Sequence, residues 1–115
     1  MSISRTTGET ILRVGIVVFT LATALIHLQL AFPDSAFILN GFGYLALLAA
    51  LYLPLPRVAR YRNILRWVLV GYAALSILLW IFLGARTLIG YIDKAIEISL
   101  IALLLLEARN ARSSL

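Results

Sequence analysis

Cysteine is absent from the 115 residues, which excludes thiolate metal sites, thiol redox chemistry and disulfide bonding, and leaves the compartment open. Charge is scarce as well. Only 13% of the residues are charged, where a soluble domain of this size carries about 25%. Hydrophobic residues make up 63% of the chain and the mean hydropathy is +1.02. So little polar surface cannot cover a water-soluble globule, and the expected surroundings are largely lipid. Also missing are a phosphate-cradling glycine loop, an H-E-x-x-H pair, a nucleophile elbow and a second histidine for bis-histidine haem. A hydrolase is not expected, and the chain reads as non-enzymatic.

What is present is a set of four apolar runs. They predict helices at about residues 11–30, 36–53, 64–83 and 88–107, filling residues 1–115 as a single membrane domain. Each run is long enough, at about 1.5 Å per residue, to cross a hydrocarbon core of roughly 30 Å. The expected fold class is all-α, a four-helix transmembrane bundle. Thr6-Thr7-Gly8-Glu9 has the spacing of a capping box and predicts that the first helix starts just before its apolar run. Arg5 and Arg13 ahead of that run also resemble a secretory signal. Pro33 is expected to stop the first helix, with Asp34 or Ser35 capping the second. Pro54-Leu55-Pro56 breaks the chain again and leads into the most basic segment, which predicts the main loop. Gly84-Ala85-Arg86-Thr87 predicts a tight connection.

The net charge of +5 would suit a nucleic-acid partner, but most of the arginines flank apolar runs, so none is expected. Arg5 and Arg13 precede the first helix, Arg57, Arg60, Arg62 and Arg66 join the second and third, and Arg109 and Arg112 follow the fourth. The opposite side carries Asp34 and Arg86. This asymmetry places both termini in the cytoplasm of a multi-pass inner-membrane protein, with Arg57, Arg60, Arg62 and Arg66 as topology determinants that meet lipid headgroups. Trp67 and Trp80 near the ends of the third helix fit an interfacial aromatic belt.

With that topology the polar residues gather by depth. His27 and Gln29 lie at the outer end of the first helix, Asn40 in the first turns of the second, and Asp93, Lys94 and Glu97 in the first turns of the fourth. The inner half reads as nearly pure Leu, Ile, Val and Ala, with Arg13 at its edge. On an ideal helix Glu97 falls about 40° from Asp93 and Lys94 about 100° from it, so the three charges share one face. That spacing lets Lys94 be shared between two carboxylates, with His27 or Arg86 balancing the remaining negative charge. Thr20, Thr23 and His27 form a matching stripe, as do Tyr72, Ser76 and Trp80. Gly41, Gly43, Ala46, Ala50, Gly71 and Ala74 are small enough to let helices approach closely.

The arrangement of Ile26-His27-Leu28, Leu39-Asn40-Gly41-Phe42-Gly43-Tyr44-Leu45, Trp80 and Asp93-Lys94-x-x-Glu97 resembles a group of small four-helix prokaryotic membrane proteins. The resemblance covers most of the chain and implies the four-helix membrane fold; it carries no activity with it. That group has Gln where this chain has Glu97. Small multidrug transporters are similar in length and helix count, but their pattern needs a glutamate within the first helix, and none stands between Arg13 and Leu30.

Two functional expectations follow. One is an accessory or scaffold subunit of a larger membrane assembly, or a self-associating oligomer, whose partners are the bilayer, other membrane subunits or itself. The other is a small binding or transport protein with an outer-leaflet pocket of His27, Asn40, Trp80, Asp93, Lys94 and Glu97 for a proton, a cation or a quinone-like ligand. No cofactor is required by either, although a single histidine leaves haem or quinone binding open. His27 with Asp93 and Glu97 is a low-specificity metal pattern, and no metal is expected.

Overall fold

A computed structural model describes the backbone of residues 2–29, 35–83 and 86–113 and the side chains of residues 7–28, 39–83 and 86–110. The described elements are all helical: α1 (Ser2–Gln29), α2 (Ser35–Tyr52), α3 (Pro56–Ala59), α4 (Arg62–Leu83) and α5 (Leu88–Ser113). Pro33, Asp34, Gly84 and Ala85 and the side chains of Gln29 and Ser35 lie outside the described residues, and with them the expected helix stop and cap.

Helix boundaries depart from the sequence expectation in three places. The capping box at Thr6 does not start α1, because the helix already runs from Ser2. Once a helix is nucleated in the apolar run, each added residue contributes a hydrogen bond, and nothing in the polar leader has a proline to stop it. The C-terminal tail continues α5 to Ser113, since Arg and Ala are good helix formers. Between α2 and α4 the predicted loop contains one helical turn, α3. Pro56 opens it, with its φ already near the helical value and no N–H to leave unbonded. The Leu55 carbonyl accepts from the amides of Val58 at 3.0 Å and Ala59 at 2.8 Å.

Two caps hold the connections. Thr87 accepts the amide of Gly90 on its hydroxyl at 3.1 Å and so starts α5. Arg62 reaches back to donate to the Leu51 carbonyl at 2.8 Å, satisfying one of the open acceptors at the C-terminal end of α2.

The four long helices pack in a ring: α1 against α2 and α5, and α4 against α2 and α5, with α3 seated on α2. Each turns one stripe inward at steps of three and four residues. These stripes are Ile16, Thr20, Thr23, Ala24 and His27 on α1; Tyr44, Leu48 and Leu51 on α2; Arg66, Leu69, Ala73 and Ser76 on α4; and Asp93, Glu97, Leu100, Leu104 and Ala108 on α5. The opposite faces are apolar too, with Val14, Val18, Leu25, Leu75, Leu79 and Ile98 all exposed.

Two glycines set helix separation. A Cβ on Gly41 would come within 3.0 Å of the Ala24 carbonyl and 2.8 Å of Leu28, so α1 and α2 meet backbone to side chain there. A Cβ on Gly43 would collide with the Tyr72 hydroxyl of α4. Gly71 and Ala46 correct the expectation that the small residues all face neighbours. Nothing lies within 4 Å of a Cβ built on Gly71, and Ala46 is exposed.

Among the described residues two helices, over Thr7–Leu28 and Arg62–Leu83, are long and apolar enough to cross a membrane. The described apolar part of α2, Leu39–Tyr52, is shorter, and α5 carries Asp93, Lys94 and Glu97 inside its apolar run. The long axis of the molecule is 47 Å, against about 40–45 Å for a bilayer with its headgroups.

Candidate functional site

The charges of α5 do turn into the bundle. Asp93 is 3% exposed, Lys94 7% and Glu97 0%. Lys94 Nζ lies 2.6 Å from Glu97 Oε1 and 3.0 Å from Asp93 Oδ2, so the ammonium is shared between both carboxylates as the spacing predicted. The second oxygen of each carboxylate receives a hydroxyl from another helix. Thr23 of α1 donates to Asp93 Oδ1 at 2.5 Å, and Tyr44 of α2 donates to Glu97 Oε2. Four polar contacts from three side chains, Lys94, Thr23 and Tyr44, thus converge on the two carboxylates.

His27 completes the cluster. Its Nδ1 lies 2.8 Å from the Thr23 carbonyl and 3.4 Å from the Thr23 hydroxyl, and its Nε2 lies 3.6 Å from Asp93 Oδ2. Its ring is tilted against Tyr44 at a centroid distance of 5.7 Å. Tyr44 in turn meets Tyr72 of α4 edge to face at 4.8 Å.

On the α4 side, Lys94 Nζ lies 3.5 Å from Ser76 Oγ, Asn40 Nδ2 donates to the same oxygen at 3.2 Å, and Tyr72 Oη donates to the Asn40 carbonyl at 2.8 Å. The network therefore draws on all four long helices. Among the described residues no buried side-chain nitrogen or oxygen lacks a hydrogen-bond partner. Ligand-capable atoms of His27, Asp93 and Glu97 lie within 4.8 Å of one another, but the Lys94 ammonium already stands between the two carboxylates where a cation would sit.

Of the residues singled out from sequence, His27, Asn40, Asp93, Lys94 and Glu97 come together. Trp80 sits at the rim, with its ring edge to face on Tyr91 at 5.0 Å and the Arg86 guanidinium 4.2 Å from its centroid. Arg86 does not balance the cluster. It donates to the carbonyls of Trp80 and Ile81 at 3.3 and 2.6 Å, closing the C-terminal end of α4. Tyr44, Thr23 and Ser76 are site residues that the sequence-level pocket left out. The signal for them was their i±4 spacing from Asn40, His27 and Trp80.

A second polar layer corrects the expectation of an apolar inner half. Arg66 is 5% exposed and donates through Nε to Glu107 Oε1 at 2.8 Å, so it faces the interior and is no headgroup contact. Tyr52 donates to Glu107 Oε2 at 2.8 Å, and Arg13 lies 4.8 Å over the Tyr52 ring. Arg62, engaged with Leu51, is likewise an internal cap, while Arg57 and Arg60 are exposed. Both layers use a tyrosine of α2 to reach a glutamate of α5 across the bundle diagonal. Between them Ile16, Leu48, Leu51, Leu69, Leu100 and Leu104 fill the core. Glu97 and Glu107 are ten residues apart along α5, which spaces the layers by about 15 Å.

No protein family, curated protein or solved structure matches the chain.

Proposed function

We propose that this chain is a polytopic protein of the cytoplasmic membrane, its four long helices crossing with both termini inside, and that it is a non-enzymatic binding protein. In this reading the ionisable cluster in the outer half of the bundle takes up a small cation, the proton included, from the outer side. Membrane placement is supported by the apolar exterior: only 28% of the apolar window of α1 and 22% of that of α4 are buried inside the protein. A soluble core helix would hide most of such a surface, and an exposed apolar belt of this extent needs lipid or a partner.

The observation that carries the reading is the enclosure of His27, Asp93, Lys94 and Glu97 within that bundle. Apolar residues of similar volume would hold the helices together at least as well, because buried ions repay their desolvation poorly. Ionisable side chains kept at membrane depth mark binding sites and proton relays. The apolar core between the two polar layers supports binding from one side over passage through the bundle. A haem ligand role for His27 is not supported, since its Nε2 is directed at Asp93.

The test is a binding titration of the purified chain in nanodiscs against protons and simple cations, with Asp93→Asn and Glu97→Gln alongside. Saturable uptake by the chain alone, weakened in both variants, supports the reading; no uptake at any concentration sinks it. A second reading, an accessory subunit or self-associating oligomer, is favoured by Phe82, Leu83 and Leu88, which leave 79%, 82% and 78% of their surface exposed around one connection. Proteins that copurify from the native membrane, and a bound state seen only in their presence, would establish it instead.

A further inference from the structure

We propose that the arginine-rich end of the bundle is a binding surface for the phosphate groups of anionic phospholipids, formed by Arg13, Arg57, Arg60 and Arg109. The inference rests on the membrane placement proposed above. Contacts between helices bring these residues to one end. Arg13 of α1 lies over the Tyr52 ring at the end of α2, and Tyr52 and Arg66 of α4 both meet Glu107 of α5. Arg57 stands on α3 and Arg60 just after it, in the connection from α2 to α4, and Arg109 is two residues beyond Glu107. Among the described residues this end carries six arginines against two carboxylates, Glu9 and Glu107.

The six arginines divide by what they already hold. Arg62 is engaged with the Leu51 carbonyl, and Arg66 with Glu107 and Asn63. The other four are exposed, and among the described residues their guanidinium groups make no hydrogen bond or ion pair. Arg13 and Arg60 stand over the rings of Tyr52 and Tyr61 at 4.8 and 5.5 Å, contacts that leave their N–H groups unbonded. Both oxygens of Glu107 are taken, by Arg66 and Tyr52, so the chain supplies these four guanidinium groups with little counter-charge of its own. A guanidinium fork offers two parallel N–H donors to two phosphate oxygens. Beside it in the chain Leu53, Leu55, Tyr61, Ile64 and Trp67 are exposed. A phospholipid brings a phosphate to the arginines and acyl chains to this apolar border, whereas a water-soluble polyanion brings the first alone.

The two tryptophans of the chain probe its two ends: Trp67 follows Arg66, and Trp80 sits at the opposite rim. In mixed vesicles of phosphatidylglycerol and phosphatidylcholine, bromine on the acyl chains of one lipid quenches the tryptophan that this lipid borders. Trp80→Phe leaves Trp67 as the probe, and Trp67→Phe leaves Trp80. Trp67 is expected to border phosphatidylglycerol over phosphatidylcholine by about fivefold, the factor that one arginine contributes near an anionic surface. Trp80, beside the single and already engaged Arg86, is expected to show a smaller preference. Raised salt, the pair Arg57→Gln and Arg60→Gln, and the pair Arg13→Gln and Arg109→Gln are each expected to lower the preference at Trp67. Arg62 and Arg66 stay in place, so the bundle keeps its own contacts. The comparison of lipids needs no arginine substitution and stands even if one of these variants fails to fold. Equal quenching of Trp67 by both lipids, an equal preference at Trp80, or a preference that neither pair of substitutions lowers overturns the inference and leaves the membrane placement intact. Displacement of phosphatidylglycerol from Trp67 by soluble polyglutamate overturns it in favour of an acidic protein partner. Tryptophans that neither brominated lipid quenches remove the membrane placement as well.

Discussion

Replacing Lys94 by methionine removes the one positive charge between two buried carboxylates while keeping the length and apolar stem of the side chain. In the native cluster the ammonium lies 2.6 Å from Glu97 and 3.0 Å from Asp93, so it meets both carboxylates. The variant leaves both carboxylates in the same enclosure without the ammonium, while the hydroxyls of Thr23 and Tyr44 still donate to them. Breaking a buried pair in this way costs about 3–5 kcal/mol, because the surviving charges stay desolvated. Adding Glu97→Gln to Lys94→Met removes one of the two carboxylates along with the ammonium. The double variant is expected to lie only about 1–2 kcal/mol below the native protein, the remainder being lost charge-assisted hydrogen bonds. The second substitution thus recovers about 2–3 kcal/mol of the Lys94→Met loss, the non-additivity expected of contacting residues. Reversible unfolding in mixed micelles, followed by circular dichroism, measures all of these differences. A Lys94→Met protein within about 0.5 kcal/mol of native stability at neutral pH would mean that the pair is not buried in the folded bundle.

Other substitutions separate the remaining contributions. Arg66→Ala should cost about 1.5–3 kcal/mol in the same assay, the range for a hydrogen bond to a charged group, and Tyr52→Phe about 1 kcal/mol, since Glu107 then keeps its Arg66 contact. Gly43→Ala should destabilise by about 1–3 kcal/mol, because its Cβ forces the Tyr72 ring away from the Asn40 carbonyl. Gly71→Ala, with open space around the new methyl, should stabilise by up to about 1 kcal/mol from helix propensity alone. Thr87→Ala should cost about 1 kcal/mol and speed hydrogen exchange at the Gly90 amide, which loses its acceptor.

The periodicity of the chain was enough to read the helices and the inward face of α5. Asp93, Lys94 and Glu97 share a face by spacing alone, and His27 and Asn40 share their depth by counting residues from the turns. Arg66 shows where that reading stops. As one of a run of arginines at the start of a helix it reads as a topology signal, and only the packing of α4 on α5 shows Glu107 opposite it. Glycine spacing has the same limit, since Gly43 and Gly71 look alike until the neighbouring helix is in place.

Composition, hydropathy and the positions of the arginines are local or additive properties, and by themselves they determined that the chain is helical, predominantly apolar and charged asymmetrically between its two ends. The tertiary structure decided which side chains complete the site. Tyr44 meets Glu97, and Tyr52 meets Glu107, across the diagonal of the bundle, and Thr23 meets both Nδ1 of His27 and an oxygen of Asp93. The three pairings between helices join residues more than fifty positions apart in the chain. They depend on how each helix is rotated about its axis and how closely glycine lets it approach its neighbour, and neither quantity is carried by the period of one helix.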